Sequence, residues 1–159
     1  MPNHPRTLDL AAFPSRRGSV YVAVLVASTI VSVIGLSALS ATRSQQRASQ
    51  GEADFVEAKF YAQSAIDMGL FDMSADSGWR DNYPSGNWWV NQPIGAGKYT
   101  LNAIDPIDGS LSSGSSNDPV LMTGTGNKGR STYLLQVTAQ RQSGVMQVVA
   151  GTWKRVTLP

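Results

Sequence analysis

The chain has 159 residues, with 13 Lys and Arg against 11 Asp and Glu, one His and no Cys. The length suits one modest domain with an appendage. Without Cys there is no disulfide scaffold, thiolate metal site or Cys nucleophile, and the lone His4 disfavours a Ser-His-Asp triad or a multi-His zinc site. Basic residues form no cluster interleaved with aromatics, which disfavours nucleic acid. We therefore predict a non-enzymatic protein with no catalytic residue, no metal, no cofactor and no nucleic-acid partner.

An uncharged segment runs from Gly18 to Thr42, between Arg17 and Arg43. A helix of that length crosses a hydrocarbon core of about 30 Å. Three alternatives fit it: a signal peptide cleaved before Ala41, a retained anchor, and an anchor trimmed on its cytoplasmic side. The segment exceeds the ~7–15 apolar residues of a signal peptide, which favours a retained single-pass helix. Arg16 and Arg17 favour a cytoplasmic N-terminus, an inner-membrane location and an extracytoplasmic C-terminal domain.

Small residues recur at four-residue spacing along this segment. Such patterns let helices approach closely in lipid, and Ser hydroxyls can hydrogen-bond between helices. A plain Ala- and Ser-rich anchor is the alternative. We predict helix–helix contacts at Ala23, Ser28, Ser32 and Gly35.

After Thr42 the sequence becomes polar, but it contains no Pro before Pro84. Apolar or small residues follow at three- and four-residue steps, which is typical of an amphipathic helix. The turn-forming residues 74–78 end the pattern. We predict one helix from Ser19 to Met73, in which residues 19–42 span the membrane and residues 43–73 form an amphipathic extension. Its apolar stripe comprises Phe55, Ala58, Ala62, Ala65, Ile66, Gly69, Leu70 and Met73.

Residues 79–159 contain short β-type runs between turns. Alternation predicts strands with one apolar face, and Ser143-Gly144 is a candidate hairpin turn. The fold class is therefore α+β, a long helix packed on an antiparallel sheet of about four strands. The predicted strands are Lys98–Ile104, Pro119–Gly124, Ser131–Gln142 and Val145–Val156.

Three further features have alternative interpretations. The aromatic cluster (Trp79, Tyr83, Trp88 and Trp89) and the later Trp153 could form a stacking platform, but packing between helix and sheet is favoured. The loop carboxylates Asp105, Asp108 and Asp118 could bind calcium, although their spacing matches no EF-hand loop and Asp commonly stabilises turns. The segment 124–129 lacks the ending of a phosphate loop and is interpreted as a hairpin connection.

The segment RRGSVYVAVLVASTIVSVIGLSAL, the extension through YAQSAIDMGL and the later PVLMTGTGNKGRSTYLLQVTAQ resemble type IV pilin-like proteins. The likeness is greatest to minor pilins and K-type pseudopilins of type IV pilus and type II secretion systems. It implies that residues 1–18 are a cytoplasmic leader, which a prepilin peptidase removes between Gly18 and Ser19, and that Ser19 is then methylated. It also implies partners among other pilin or pseudopilin subunits.

Most pilins have Glu at mature position five, where this chain has Ala23. A missing carboxylate in apolar surroundings leaves the amine of a neighbouring subunit unpaired. The resemblance therefore implies a minor, tip or initiating subunit. A single-pass anchored binding protein with no filament role is the alternative, and a secreted protein that begins at Ala41 is another.

Overall fold

The structure is a computed structural model that describes residues 17–112, 114–115 and 117–157. The chain divides into two compact units, Met1–Gln46 and Arg47–Pro159. Helix α1 (Arg17–Ala75) is continuous and contributes to both units. The single helix predicted from Ser19 to Met73 is therefore confirmed, with two further residues at each end.

The C-terminal end of α1 is capped by side chains. Arg141 donates hydrogen bonds to the carbonyl oxygens of Met73 (2.7 Å) and Asp76 (3.3 Å). A cation at this position donates to carbonyl oxygens that have no partner within the helix. It also interacts favourably with the negative end of the helix dipole. Asp76 then accepts from the side chain of Asn82 (2.7 Å) and the backbone N–H of Gly78 (2.8 Å), and these two bonds lower the pKa of its carboxyl group.

The second unit also contains a single-turn helix, α2 (Trp79–Asn82), and an antiparallel sheet of six strands. Each of the first four strands pairs with the next along the chain. Strands β5 and β6 both pair with the edge of β4 that β3 does not occupy. Strand β5 pairs with the C-terminal half of β4, and β6 pairs with its N-terminal half. The strands are β1 (Gly86–Ile94), β2 (Gly97–Ile104), β3 (Val120–Lys128), β4 (Ser131–Gln142), β5 (Val145–Val148) and β6 (Lys154–Val156).

The structure confirms the α+β class and corrects several details of the sheet. Strand β1 was not predicted, and the predicted run Val145–Val156 is divided into two strands by a turn around Gly151 (φ 79°). The residues interpreted as a hairpin connection mostly extend β3, and only Gly129 and Arg130 form the turn. The Ser143-Gly144 turn is confirmed, with positive φ at both residues as the favoured type I′ hairpin requires.

The helix packs against the sheet through small residues on both sides. Ala58, Ala62 and Ala65 are fully buried on α1, as the predicted stripe requires. A Cβ atom added at Gly126 would overlap the carbonyl oxygen of Ala58, and one added at Gly124 would overlap that of Ala62. The helix backbone therefore rests directly on β3, in a notch formed by these two glycines.

A buried ion pair connects α2 to the loop after β2. Arg80 Nη1 lies 3.0 Å from Asp105 Oδ2, and both side chains are almost fully buried. Arg80 also donates to the carbonyl oxygens of Leu111 (3.1 Å) and Asp118 (2.8 Å). A buried charge that loses its partner is strongly destabilising, so this arginine fixes the long loop over the core.

The aromatic cluster is mostly structural, as predicted. Trp79 is fully buried, and Trp88 and Trp89 pack partly buried against the core. The Trp88 ring stacks on Tyr83 with centroids 4.5 Å apart. Trp153 is the exception, because 44% of its surface is exposed.

Candidate interaction surfaces

The first candidate surface is the apolar part of α1 in the N-terminal unit. Between Val20 and Leu39, each large apolar side chain that the structure describes is between 49% and 70% exposed. Among the described residues, α1 is the one helix long and apolar enough to cross a membrane. An apolar surface of this extent is not stable in water and requires lipid or protein contacts.

Five hydroxyl groups in this segment bond to carbonyl oxygens of their own helix. Ser28 Oγ donates to the carbonyl oxygen of Val24 (3.1 Å), and Ser32 Oγ donates to that of Ser28 (2.8 Å). Thr29, Ser37 and Thr42 make similar bonds three or four residues back. These groups can therefore enter an apolar environment without an unpaired donor.

The four predicted contact residues do not all lie on one face. At about 100° per residue, Ser28, Ser32 and Gly35 lie within about 60° of one another, whereas Ala23 is at least about 120° away. A Cβ at Gly35 would contact nothing within 4 Å, so the helix surface at this glycine is open. The first three residues thus form one narrow small-residue face, and Ala23 belongs to another side of the helix.

The predicted cleavage junction lies at the beginning of α1. Arg17 is the first helical residue, followed directly by Gly18 and Ser19. A Cβ at Gly18 would contact nothing within 4 Å, so the backbone here is not covered by packing within its unit. Arg16 lies outside the described residues, as does the rest of the predicted leader before Arg17.

The second unit exposes another apolar stripe on α1. Val56, Phe60 and Phe71 are exposed, and they lie within about 60° of one another on the side of the helix opposite the sheet. Asp67 lies on the same side, and partial burial raises the pKa of its carboxyl group. The side of the extension that the sheet does not cover therefore exposes three large apolar residues together with one carboxylate.

The third candidate surface is a groove between α1 and the free edge of β6. It has a volume of about 330 Å³, and Leu135 and Trp153 are among its apolar lining residues. Lys59, Lys154 and Arg155 provide its charge. Sequence reasoning missed this groove because its residues come from three separate segments of the chain.

A pair of opposite charges holds the helix beside the β3–β4 turn. Lys128 Nζ lies 2.9 Å from Glu57 Oε2, which also accepts from the Tyr61 hydroxyl (3.0 Å). The hydrogen bond from Lys128 is the main cause that lowers the pKa of Glu57, and the same bond raises the pKa of Lys128. The pair is solvent-accessible, so it contributes little to stability.

The loop carboxylates have structural partners. Asp105 pairs with Arg80, Asp108 accepts from the backbone N–H of Ser110 (2.9 Å), and Asp118 accepts from that of Ser115 (2.6 Å). Within residues 17–112, 114–115 and 117–157, no group of three or more His, Asp or Glu side chains is placed to hold a metal ion. Asp105 also accepts from the backbone N–H of Ile107 (2.8 Å), so all three carboxylates stabilise turns, as the turn-forming interpretation predicts.

The chain matches no protein-family model, no curated protein and no solved structure. The structure by itself defines the class: an α+β protein in which a long helix packs on an antiparallel sheet, with one segment compatible with single-pass membrane anchoring.

Proposed function

We propose that the protein is a minor pilin or pseudopilin, a structural subunit that enters a type IV pilus-like or type II secretion filament through α1. In this proposal the apolar segment is held in the inner membrane, with the N-terminus in the cytoplasm. It then exchanges lipid contacts for contacts with the helices of other subunits. The C-terminal unit remains outside the membrane and carries no catalytic function.

The observation that supports this proposal best is the continuity of α1. An anchor alone needs about 20 residues, yet this helix continues without interruption for 59 residues. Its second half packs on the sheet and still exposes Val56, Phe60 and Phe71 on the opposite side. Helical segments with exposed apolar side chains, both in the anchor and in the extension, are suited to packing against the helices of similar subunits.

The small residues of the anchor agree with this mechanism. Ser28, Ser32 and Gly35 form a narrow face on which a second helix backbone can approach closely. Because the Ser28 and Ser32 hydroxyls bond within their own helix, this face can leave lipid for a protein interior without a new unpaired group. Ala23, which replaces the usual Glu, favours a subunit with no neighbour ahead of it.

The alternative is a single-pass anchored protein that binds a partner outside the membrane and never assembles. The cationic groove beside Trp153 favours this alternative, because a binding protein needs a recognition surface on its outer unit. The two functions differ in the processing of the N-terminus.

The test is the intact mass of the membrane-extracted protein from its host, with and without the host's prepilin peptidase. The proposal predicts a chain that begins at methylated Ser19 only when the peptidase is present. The variant Gly18→Val should block that processing, whereas the matched variant Gly35→Val should not. An unprocessed N-terminus in both hosts would favour the anchored binding protein, and a start at Ala41 would indicate a secreted protein.

A further inference from the structure

The groove between α1 and β6 has an apolar floor and a basic rim. Leu135 and Tyr133 are nearly buried at its base, and the exposed Trp153 forms one wall. Lys59 on the helix and Lys154 and Arg155 on the strand are the basic residues that line it. The lining residues that the structure describes include no acidic side chain.

These cations are not neutralised within the described part of the unit. The two ion pairs found there join Arg80 to Asp105 and Lys128 to Glu57, and neither involves the groove. Residues 47–159 as a whole contain slightly more acidic than basic side chains, so the positive charge is a local feature. A local cluster of unpaired cations over an apolar floor is complementary to carboxylates that flank an apolar side chain.

Arg155 is held in position for such a ligand. Its guanidinium carbon lies 5.1 Å from the ring centroid of Phe55 and 5.3 Å from that of Tyr133. Neither ion pair of the described residues involves Arg155, so its donors are available for a carboxylate in two-point geometry. Because the ring packing already orders this side chain, less conformational entropy is lost when a ligand binds.

The same stacking disfavours nucleic acid as the occupant. Single-stranded nucleic acids need open aromatic faces for their bases and a basic track for the phosphates. Here Arg155 covers Phe55 and Tyr133, so Trp153 is the one lining ring that remains exposed. A single ring in a unit with excess acidic charge is a poor base-stacking surface.

We infer that this groove is a binding site for a segment of a partner protein in which carboxylates flank an apolar side chain. The carboxylates contact Lys59, Lys154 and the edge of Arg155, and the apolar side chain packs on Trp153 and Leu135. The inference does not depend on filament assembly, because an anchored monomer would present the same groove. A failure of this binding inference can therefore be distinguished from a failure of the proposed filament function.

The test uses the full chain in detergent micelles and a short labelled peptide centred on Glu-Leu-Glu-Leu-Glu, followed by fluorescence anisotropy. The matched peptide has Gln in place of each Glu, and a labelled oligothymidine of similar length is the third probe. We expect saturable binding of the Glu peptide, weakened by salt, and little binding of the other two. Preferential binding of the oligonucleotide, equal binding of the two peptides, or no binding of the Glu peptide would each overturn the inference.

Variants then locate the site. Lys59→Gln and Lys154→Gln should each weaken binding about two- to fivefold, the range expected for single exposed charge pairs. Lys98→Gln removes an exposed charge on β2 away from the groove and should leave binding unchanged. Trp153→Ala should weaken binding of the Glu peptide further, with near-UV circular dichroism showing that the fold is retained. Equal effects of Lys98→Gln and Lys154→Gln would show non-specific attraction and refute the assignment.

Discussion

The glycine notch on β3 gives a sharp prediction for the stability of the helix–sheet contact. In Gly126→Ala the new Cβ would overlap the carbonyl oxygen of Ala58 and lie 2.6 Å from the backbone nitrogen of Ala62. Backbone atoms cannot avoid the methyl group by changing rotamer, so the helix must move away from the strand. Overpacked cores lose about 1–3 kcal/mol, and we expect the upper end of that range.

The displacement also weakens contacts at the fully buried Ala62, Ala65 and Ile66. A gap of only about 0.5–1 Å forfeits a quarter to a half of each dispersion contact. At about 4 °C per kcal/mol, a loss of about 3 kcal/mol lowers Tm by about 12 °C. Thermal unfolding of the full chain in micelles, followed by near-UV circular dichroism, measures this shift.

The matched control is the same substitution at Gly51, which lies in α1 with nothing within 4 Å of an added Cβ. Ala is favoured over Gly in an exposed helix by about 0.5–1 kcal/mol, so Gly51→Ala should raise Tm. Ala58→Gly should not rescue Gly126→Ala, because the overlap is with the Ala58 backbone rather than its methyl group. A Gly126→Ala protein as stable as the native chain would refute the close helix–strand approach.

Three further predictions concern the buried pair, acid stability and assembly. Arg80→Leu leaves Asp105 as a buried unpaired charge and should cost about 3–5 kcal/mol in unfolding free energy; a loss below about 1 kcal/mol in denaturant titration would contradict the buried ion pair. Hydrogen bonds to its ionised form hold the pKa of Asp76 below the ordinary 3.8, so its stabilisation is present at neutral pH and is lost as pH falls through the folded pKa. Between about pH 5 and pH 2 the unfolding free energy of Asp76→Asn should therefore decline less than that of the native chain. Equal declines in the two proteins would show that ionised Asp76 does not stabilise the fold. Ser32→Leu should reduce the amount of the chain in isolated filaments without changing its Tm or its membrane insertion. Val33→Leu, on another face of the helix, should have little effect. Equal amounts of the two variants in filaments would exclude the small-residue face as a contact between subunits.

The sequence was most informative where a periodic pattern coincided with an uninterrupted element. The stripe through Ala58, Ala62 and Ile66 predicted the buried face of α1, and strand β4 was predicted with the bounds Ser131–Gln142 that the structure has. In both places local preference and burial favour the same conformation.

The sequence was misleading where tertiary contacts override local preference. Strand β1 has register shifts on both sides of Trp89, a positive φ at Asn91 and Pro93 near its end, so no alternation was visible. Such irregularities are tolerated because β1 is an edge strand. Its identity depends on pairing with β2, which a single-segment pattern does not encode.

The segment 124–129 was interpreted as a hairpin connection, and glycine is in general depleted in strands. A glycine inside a strand can equally mark the close approach of another backbone, and Gly124 and Gly126 do so here. Their two-residue spacing within a Thr-rich segment was the available signal. The Arg80–Asp105 pair and the basic groove had no such signal, because their partners are distant in sequence.

The proposed assembly through α1 is tested most directly by the composition of filaments sheared from the host cells. We predict that the chain co-purifies with those filaments, in an amount well below that of the main subunit, and that it remains in the membrane fraction when filament assembly is blocked. Its complete retention in the membrane fraction of cells that do make filaments would contradict the account.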